Sequence, residues 1–192
     1  MSDYTVVAEV GEALVRVLWE EMQNSVPVNG LIDSEARISL QSPFELRDNN
    51  AVRLSVYLYR IVEDPFIKNQ PMQAGPGRLL RRNPLTLDLF YLVTPLVGTP
   101  REQLIVLAKV MQVFHDRAIL QGPDVGPLAL ADEELRVVLN PVTLEETTRV
   151  WEALQMSYRL SVCYTVRVAI VDSLRGRLTQ PVVERTGSYA GS

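Results

Sequence analysis

The sequence predicts an α+β (mixed α/β) fold. It reads as a single domain on a twisted, mainly antiparallel sheet flanked by about three helices. Three observations predict this. Ala51–Val62, Pro84–Leu96 and Leu160–Val171 alternate along the chain with the period of a strand. Three other stretches, near 3–24, 99–120 and 143–154, carry apolar residues at helical spacing. The length of 192 residues suits one domain that buries about 70% of its unfolded surface.

Composition narrows the function classes. Hydrophobic content of 47% and charged content of 22% are ordinary for a globular protein. A net charge of −4 and a pI near 5.1 give no global attraction to nucleic acid or to an anionic membrane. Cys163 is the single cysteine, which excludes an intramolecular disulfide and a multi-cysteine zinc cluster. Asp3, Glu9, Glu12 and Glu20 make the first twenty residues unlike a signal peptide, and no apolar run approaches the roughly 20 residues of a membrane span. Synthesis and folding in the cytoplasm are expected.

In chain order, Ser2 or Asp3 is positioned to cap a first helix that runs to about Asn24. Val7, Val10, Leu14, Val17 and Leu18 form its buried stripe. Pro27 and Gly30 stop it. A short strand near Ala36–Leu40, with Ile38 and Leu40 inward, leads through a polar turn to Ala51–Val62. There Val52, Leu54, Val56 and Leu58 share one face, and Arg53, Ser55, Tyr57, Tyr59 and Ile61 the other. Lys68–Asn83 has too much Gly and Pro for a regular element. Its Arg78, Arg81 and Arg82 either meet an acidic partner surface or are simply solvated. No aromatic residues interleave them as in nucleic-acid binders.

Pro84–Leu96 is the expected central strand. Leu85, Leu87, Leu89, Tyr91 and Val93 fill one face, while Phe90 and Leu92 make the second half apolar on both sides, which requires cover on both. Thr99-Pro100 opens a second helix to about Leu120, with Pro at its favoured first position. Leu104, Leu107, Ala108, Met111 and Ala118 are expected on one buried face, and Val106, Val110 and Val113 on another. His115, the only histidine, lies in line with Leu104, Ala108 and Met111, and Asp116 beside it points in a different direction. It therefore reads as a core or interface residue rather than a catalytic base. Cys163, whose strand neighbours Ser161 and Thr165 offer no base, is no better a nucleophile.

Gln121–Glu133 reads as a loop and Glu134–Leu139 as a short strand. Thr143 and Glu146 have the spacing of a capping box, and Leu144, Thr147, Trp151 and Leu154 make a third helical stripe. In the last strand Leu160, Val162, Tyr164, Val166, Val168 and Ile170 face one way. The domain is thus expected over 1–172, with 173–192 a tail that carries Arg175, Arg177 and an extended piece at Leu178–Glu184. Phosphate-binding glycine loops, dinucleotide fingerprints, nucleophile elbows and paired-carboxylate sites are not found in the sequence.

Three pieces occur in one order and spacing: LYRIVEDPFIKN (Leu58–Asn69), PLTLDLFYLVTPL (Pro84–Leu96), and VWEAL followed by YRLSVCYTVRVAIV (Val150–Leu154, Tyr158–Val171). Together they resemble the small cap, or tail-terminator, proteins of extracellular contractile injection systems, particles similar to headless contractile phage tails. The resemblance spans most of residues 4–172. It departs at Phe90, where a histidine is expected in the strand, and in the tail. It implies a structural protein with no catalytic residues, cofactor or metal. Such a protein forms a ring, typically a hexamer, on the distal end of the tube and sheath and stops their growth. The implied partners are other copies of the chain and the tube and sheath proteins. Tyr57, Tyr59, Arg78, Arg81, Arg82, Arg175 and Arg177 are the candidate interface residues. Another structural role in the same particle (sheath, baseplate or neck adaptor) and a small tail-associated hydrolase with His115 as base are the alternatives.

Overall fold

The computed structural model describes residues 4–64, 73–74, 79–81, 85–121, 134–171 and 176–178. The first helix, α1 (Val6–Met22), buries Val6, Val10, Ala13, Leu14, Val17, Leu18 and Met22. Val10, Leu14, Val17 and Leu18 of the expected stripe are among them, whereas Val7 is only half-buried and Val6 takes its place; each buried Val, Leu or Met contributes about 1.5–3 kcal/mol relative to exposure. The expected caps Ser2 and Asp3 lie outside the described residues. Thr5 stands at the N-cap position, and its side chain makes no capping bond.

Six strands form one sheet in the order β1-β2-β5-β8-β7-β6. They are β1 (Ile38–Ser39), β2 (Leu54–Glu63), β5 (Leu85–Pro95), β6 (Ile119–Leu120), β7 (Leu135–Leu139) and β8 (Val162–Val171). Only β1 and β2 run parallel; the remaining pairs are antiparallel. The strand expected at the centre is β5, and it lies inside the sheet between β2 and β8. Its alternate residues Leu87, Leu89, Tyr91 and Val93 join the main core, whereas Leu92 belongs to a separate cluster on the opposite face.

The helices divide unequally over the two faces. The main core combines α1 with the second helix, α2 (Pro100–Asp116), and with Leu54, Val56, Tyr164 and Val166 of the sheet. The opposite face is covered by α3 (Leu144–Ala153), whose Trp151 packs with Leu92 and Cys163. Both later helices start at complete capping boxes. Thr99 N donates to Glu102 Oε2 at 2.8 Å and Glu102 N to Thr99 Oγ1 at 3.3 Å. The corresponding bonds between Thr143 and Glu146 are 2.8 and 3.2 Å. Each reciprocal pair satisfies two amides that a helix start otherwise leaves open.

Strict alternation failed at two points in the sheet. Tyr59 is an extra residue in β2: Leu58 pairs with Tyr91, but Arg60 pairs with Phe90. Beyond this bulge the pattern is reversed, so Ile61 stands opposite core residue Leu89 instead of sharing a face with Tyr57. The β5–β8 register shifts likewise between Leu87 and Leu89, which pair with Ala169 and Val166. The backbone register expected through Ile170 is therefore interrupted past Val166. A one-residue insertion moves every later side chain across the sheet.

Other expectations are corrected by packing. In α2 the buried residues are Val106, Leu107, Val110, Val113 and Phe114. Leu104, Ala108, Met111 and His115 face solvent. The helix also ends at Asp116, and the residues expected to continue it become β6. In α3, Leu144 lies outside the buried stripe. Leu40 is not in the core but rests on α1 at Gly11, where an added Cβ would come within 2.9 Å of Leu40 Cδ1. Finally, the stretch read as an irregular loop contains β3 (Gln73–Ala74) and β4 (Leu79–Arg81), and the tail contributes β9 (Gly176–Leu178). These three form a second sheet in the order β3-β4-β9. The rest of the Leu178–Glu184 piece lies outside the described residues.

Candidate functional site: a groove between the sheet and the third helix

The bulge at Tyr59 shapes a broad groove in the described surface. On the face carrying α3, Tyr57, Tyr59 and Arg60 of β2 line one wall and floor, with Phe90 and Cys163 beside them. The chain from Asn140 to Val142 and the α3 residues Glu146, Thr147, Arg149, Val150, Ala153 and Leu154 form the other wall. The groove has a volume of about 610 Å³. Regular alternation would send only one of two successive residues to this face; the extra residue lets Tyr59 and Arg60 both line the groove.

Its floor is aromatic and ordered. The Tyr59 and Phe90 rings meet edge to face, with centroids 6.3 Å apart. The Arg60 guanidinium lies over the Phe90 ring, 5.2 Å from its centre, a cation–π geometry. Burial pushes the Tyr59 hydroxyl up to about 12, helped by its hydrogen-bonded neighbour Cys163. The Cys163 thiol is itself raised, chiefly by burial. A thiol kept protonated is a poor nucleophile, which agrees with the absence of a base noted for it. Underneath, Trp151 Nε1 donates to Ser161 Oγ at 3.4 Å and fixes α3 against the start of β8.

Charges on the walls are mostly committed. Glu146 Oε2 accepts from both Thr143 N (2.8 Å) and Thr143 Oγ1 (2.9 Å). These bonds, with Arg149 and Arg60 nearby, hold its carboxyl below the usual range. Arg149 pairs with Glu145 at 2.7 Å. Further along the same face, Asp88 sits 4.0 Å from Arg167. Burial raises its carboxyl despite that cation, and Oδ1 has no hydrogen-bond partner among the described residues.

A second, more apolar hollow of about 530 Å³ lies between α2 and β7, lined by Met111, Phe114, His115, Val137, Leu139 and Tyr164 among others. Of its lining, Met111 is 40% and Leu139 45% exposed. His115 is therefore a surface residue on an apolar stripe, not a core one.

The structure places the candidate interface residues in two groups. Tyr57 and Tyr59 stand together in the groove. Arg81 and Arg177 lie on adjacent strands of the small sheet, where Arg81 pairs with Gly176 and Leu80 with Arg177. Arg78, Arg82 and Arg175 lie outside the described residues. Sequence reading missed Arg60, which alternation placed on the core face. The only local signal for it was the clash between that placement and its charge. Among the described residues no group of three or more His, Cys, Asp or Glu side chains could hold a metal ion. No helix among them is long and apolar enough to cross a membrane.

Comparison with known proteins adds the following. A solved structure of the sheath/tube terminator of PVC, an extracellular contractile injection system, in the extended state, superposes with a TM-score of 0.64 at 21% identity. The match covers 100% of this chain and 66% of that one. The tube-terminating cap of the anti-feeding prophage gives 0.58 at 23% identity, over 94% of this chain and 60% of the other. The chain thus spans less than two thirds of either solved protein, and at these identities the likeness establishes the fold. A search of curated proteins found no match. The model of the Pvc16 N-terminal domain family matches residues 9–185, and on that match the chain belongs to this family.

Proposed function

We propose that this protein is a structural cap. It forms a ring on the distal end of the tube and sheath of a contractile injection particle and ends their polymerisation. The observation that carries the reading is the shared fold, over the whole chain, with a sheath/tube terminator. The mechanism is steric and adhesive. One face of the ring binds the last layer of tube and sheath, and the other lacks the surface that recruits a further layer. The ring is a homohexamer that matches the tube's symmetry, since contacts between identical subunits that are not self-complementary must close or run on as a filament. Assembly takes place in the cytoplasm before any release of the particle, and the role involves no catalysis. The segment after Asp172 acts as an arm. Its Arg175 and Arg177, together with Arg78, Arg81 and Arg82, contribute polar contacts to neighbours, while Tyr57 and Tyr59 contribute apolar ones.

Deletion of the chain tests the reading. Particles made without it should have tubes and sheaths of uncontrolled or unstable length. Particles of normal length and contractility would rule the cap out. Native mass spectrometry with tube protein present should show a six-membered ring, and monomers alone would exclude it.

A further inference from the structure

Charge is divided between the two ends of the central strands. In chain order β3 follows β2, β4 precedes β5 and β9 follows β8, and the three short strands pair in the same sequence as the three long ones. Only residues 82–84 separate β4 from β5. That link holds β4 within about 14 Å of the sheet end where Leu85 pairs with Val171. The small sheet is thus an arm on that end. The segments that supply it, 65–84 and 172–192, hold seven Lys and Arg against two Asp and Glu, a net charge of +5. The opposite end of β2, at Leu54 and Ser55, pairs with β1. Residues 1–53, which contain α1 and β1, hold four Arg against nine Asp and Glu, a net charge of −5. We infer that these ends meet between molecules: the basic arm of one copy docks on the acidic α1–β1 end of a second copy of this chain. This rests on the proposed ring of identical subunits and specifies the contact that closes it.

Distance places the match between copies. The ten residues of β2 extend over roughly 30 Å, and the short link to β5 does not return β4 across that span. The two ends of one chain therefore stay apart. The complementary charge lies on the chain itself, which selects a second copy over an unrelated protein. Two different surfaces of identical subunits make a heterologous contact, the kind that repeats into a ring. The acidic end also offers a seat. Glu12, Arg16, Glu35, Ile38 and Leu40 are among the residues lining a hollow of about 460 Å³ beside β1. Glu12 and Glu35, both exposed, outnumber Arg16 there. β1 is an outer strand of the main sheet and β9 an outer strand of the small one, so each leaves an edge without a described partner. Addition of β9, which contains Arg177, along β1 supplies main-chain hydrogen bonds. The opposed charges set the orientation and speed of the encounter.

The test uses the full chain with tube protein present, and native mass spectrometry of the rings. Arg81→Glu with Arg177→Glu reverses the described part of the arm, and Glu12→Arg with Glu35→Arg reverses the seat. Each pair alone should raise the concentration for half-assembly by about tenfold or more, the effect of losing a charge-assisted pair. Mixing the two altered proteins should restore rings that contain both in equal numbers, because each reversed surface then meets its opposite. Where a reversed variant fails to fold, Arg177→Gln and Glu35→Gln should each weaken the salt dependence of assembly. Unchanged assembly of the reversed variants, unchanged salt dependence of the neutral ones, or mixing of folded variants without restoration would overturn the inference and leave the cap reading standing. Monomers alone from the unaltered chain would overturn both.

Discussion

The two faces of the main sheet are built to different standards of cover. On one, α1 and α2 seal a continuous core in which Leu14, Val17, Leu54, Leu89 and Val110 are essentially inaccessible. On the other, a single ten-residue helix covers a cluster whose fully buried members are Leu92, Trp151 and Cys163. The remainder is an aromatic and charged groove. The difference separates stability from recognition. The first face supplies most of the apolar burial that opposes chain entropy, and the second keeps surface available for something else. Four perturbations can break or sharpen this contrast.

The largest effect is expected at Leu89, which is 0% exposed at the middle of the sealed face. Leu89→Ala should reduce stability by about 3–4 kcal/mol in urea unfolding, equally by every probe. Trp151→Ala should come next, at about 3 kcal/mol, with a different signature. Amide exchange should rise across α3 while α1 stays protected. If α1 and α3 lost protection together, the two faces would be one cooperative unit and the contrast would fail.

Third are the helix caps. Thr143→Ala removes the hydroxyl that accepts from Glu146 N and bonds its carboxylate, and should cost about 1 kcal/mol. Thr99→Ala should cost a similar amount. The former should loosen α3 selectively, and the latter should lower the global transition. Circular dichroism melts combined with exchange on α3 distinguish them.

The smallest effect is pH dependence, with opposite signs on two kinds of carboxylate. Glu102 and Glu146 are both held low by their bonds to Thr99 and Thr143. Their contribution is present above the unfolded value near pH 4.3 and is lost as pH falls through the lower folded value. Asp88 is raised by burial. Its penalty is complete above the folded value and declines below it, vanishing once pH falls below the unfolded value of about 3.9. Asp88→Asn should therefore raise the melting temperature at pH 7, with no gain at pH 3. A fall at pH 7 would show that the Arg167 contact outweighs desolvation.

Much of the framework was legible because local chemistry determined it. Pro100 and Thr99 set the start of α2, Thr143 and Glu146 that of α3, and the apolar alternation from Leu87 to Val93 identified an interior strand. What was not legible depended on partners distant in sequence. Both apolar sides of α2 looked equally suited to burial, and only the position of the sheet selects Val106, Val110 and Val113 over Leu104, Ala108 and Met111. Nothing around Leu79–Arg81 announces a pairing with Gly176–Leu178 nearly a hundred positions later. The groove was half legible. Tyr57 and Tyr59 were assigned correctly to one face, but Arg60 was not, because an insertion in β2 leaves no mark in a periodic reading.

That insertion has a consequence for solubility. Beyond Ser55 no described strand pairs with the outer edge of β2, and a long strand edge with Tyr and Ile side chains is the kind of surface on which unrelated chains stack into fibres. Displacing one residue outward in the middle divides that surface into two short stretches of mismatched phase, each too brief to template a growing stack. A protein whose proposed task is to stop a polymer thus carries, in a single misaligned tyrosine, a safeguard against becoming one.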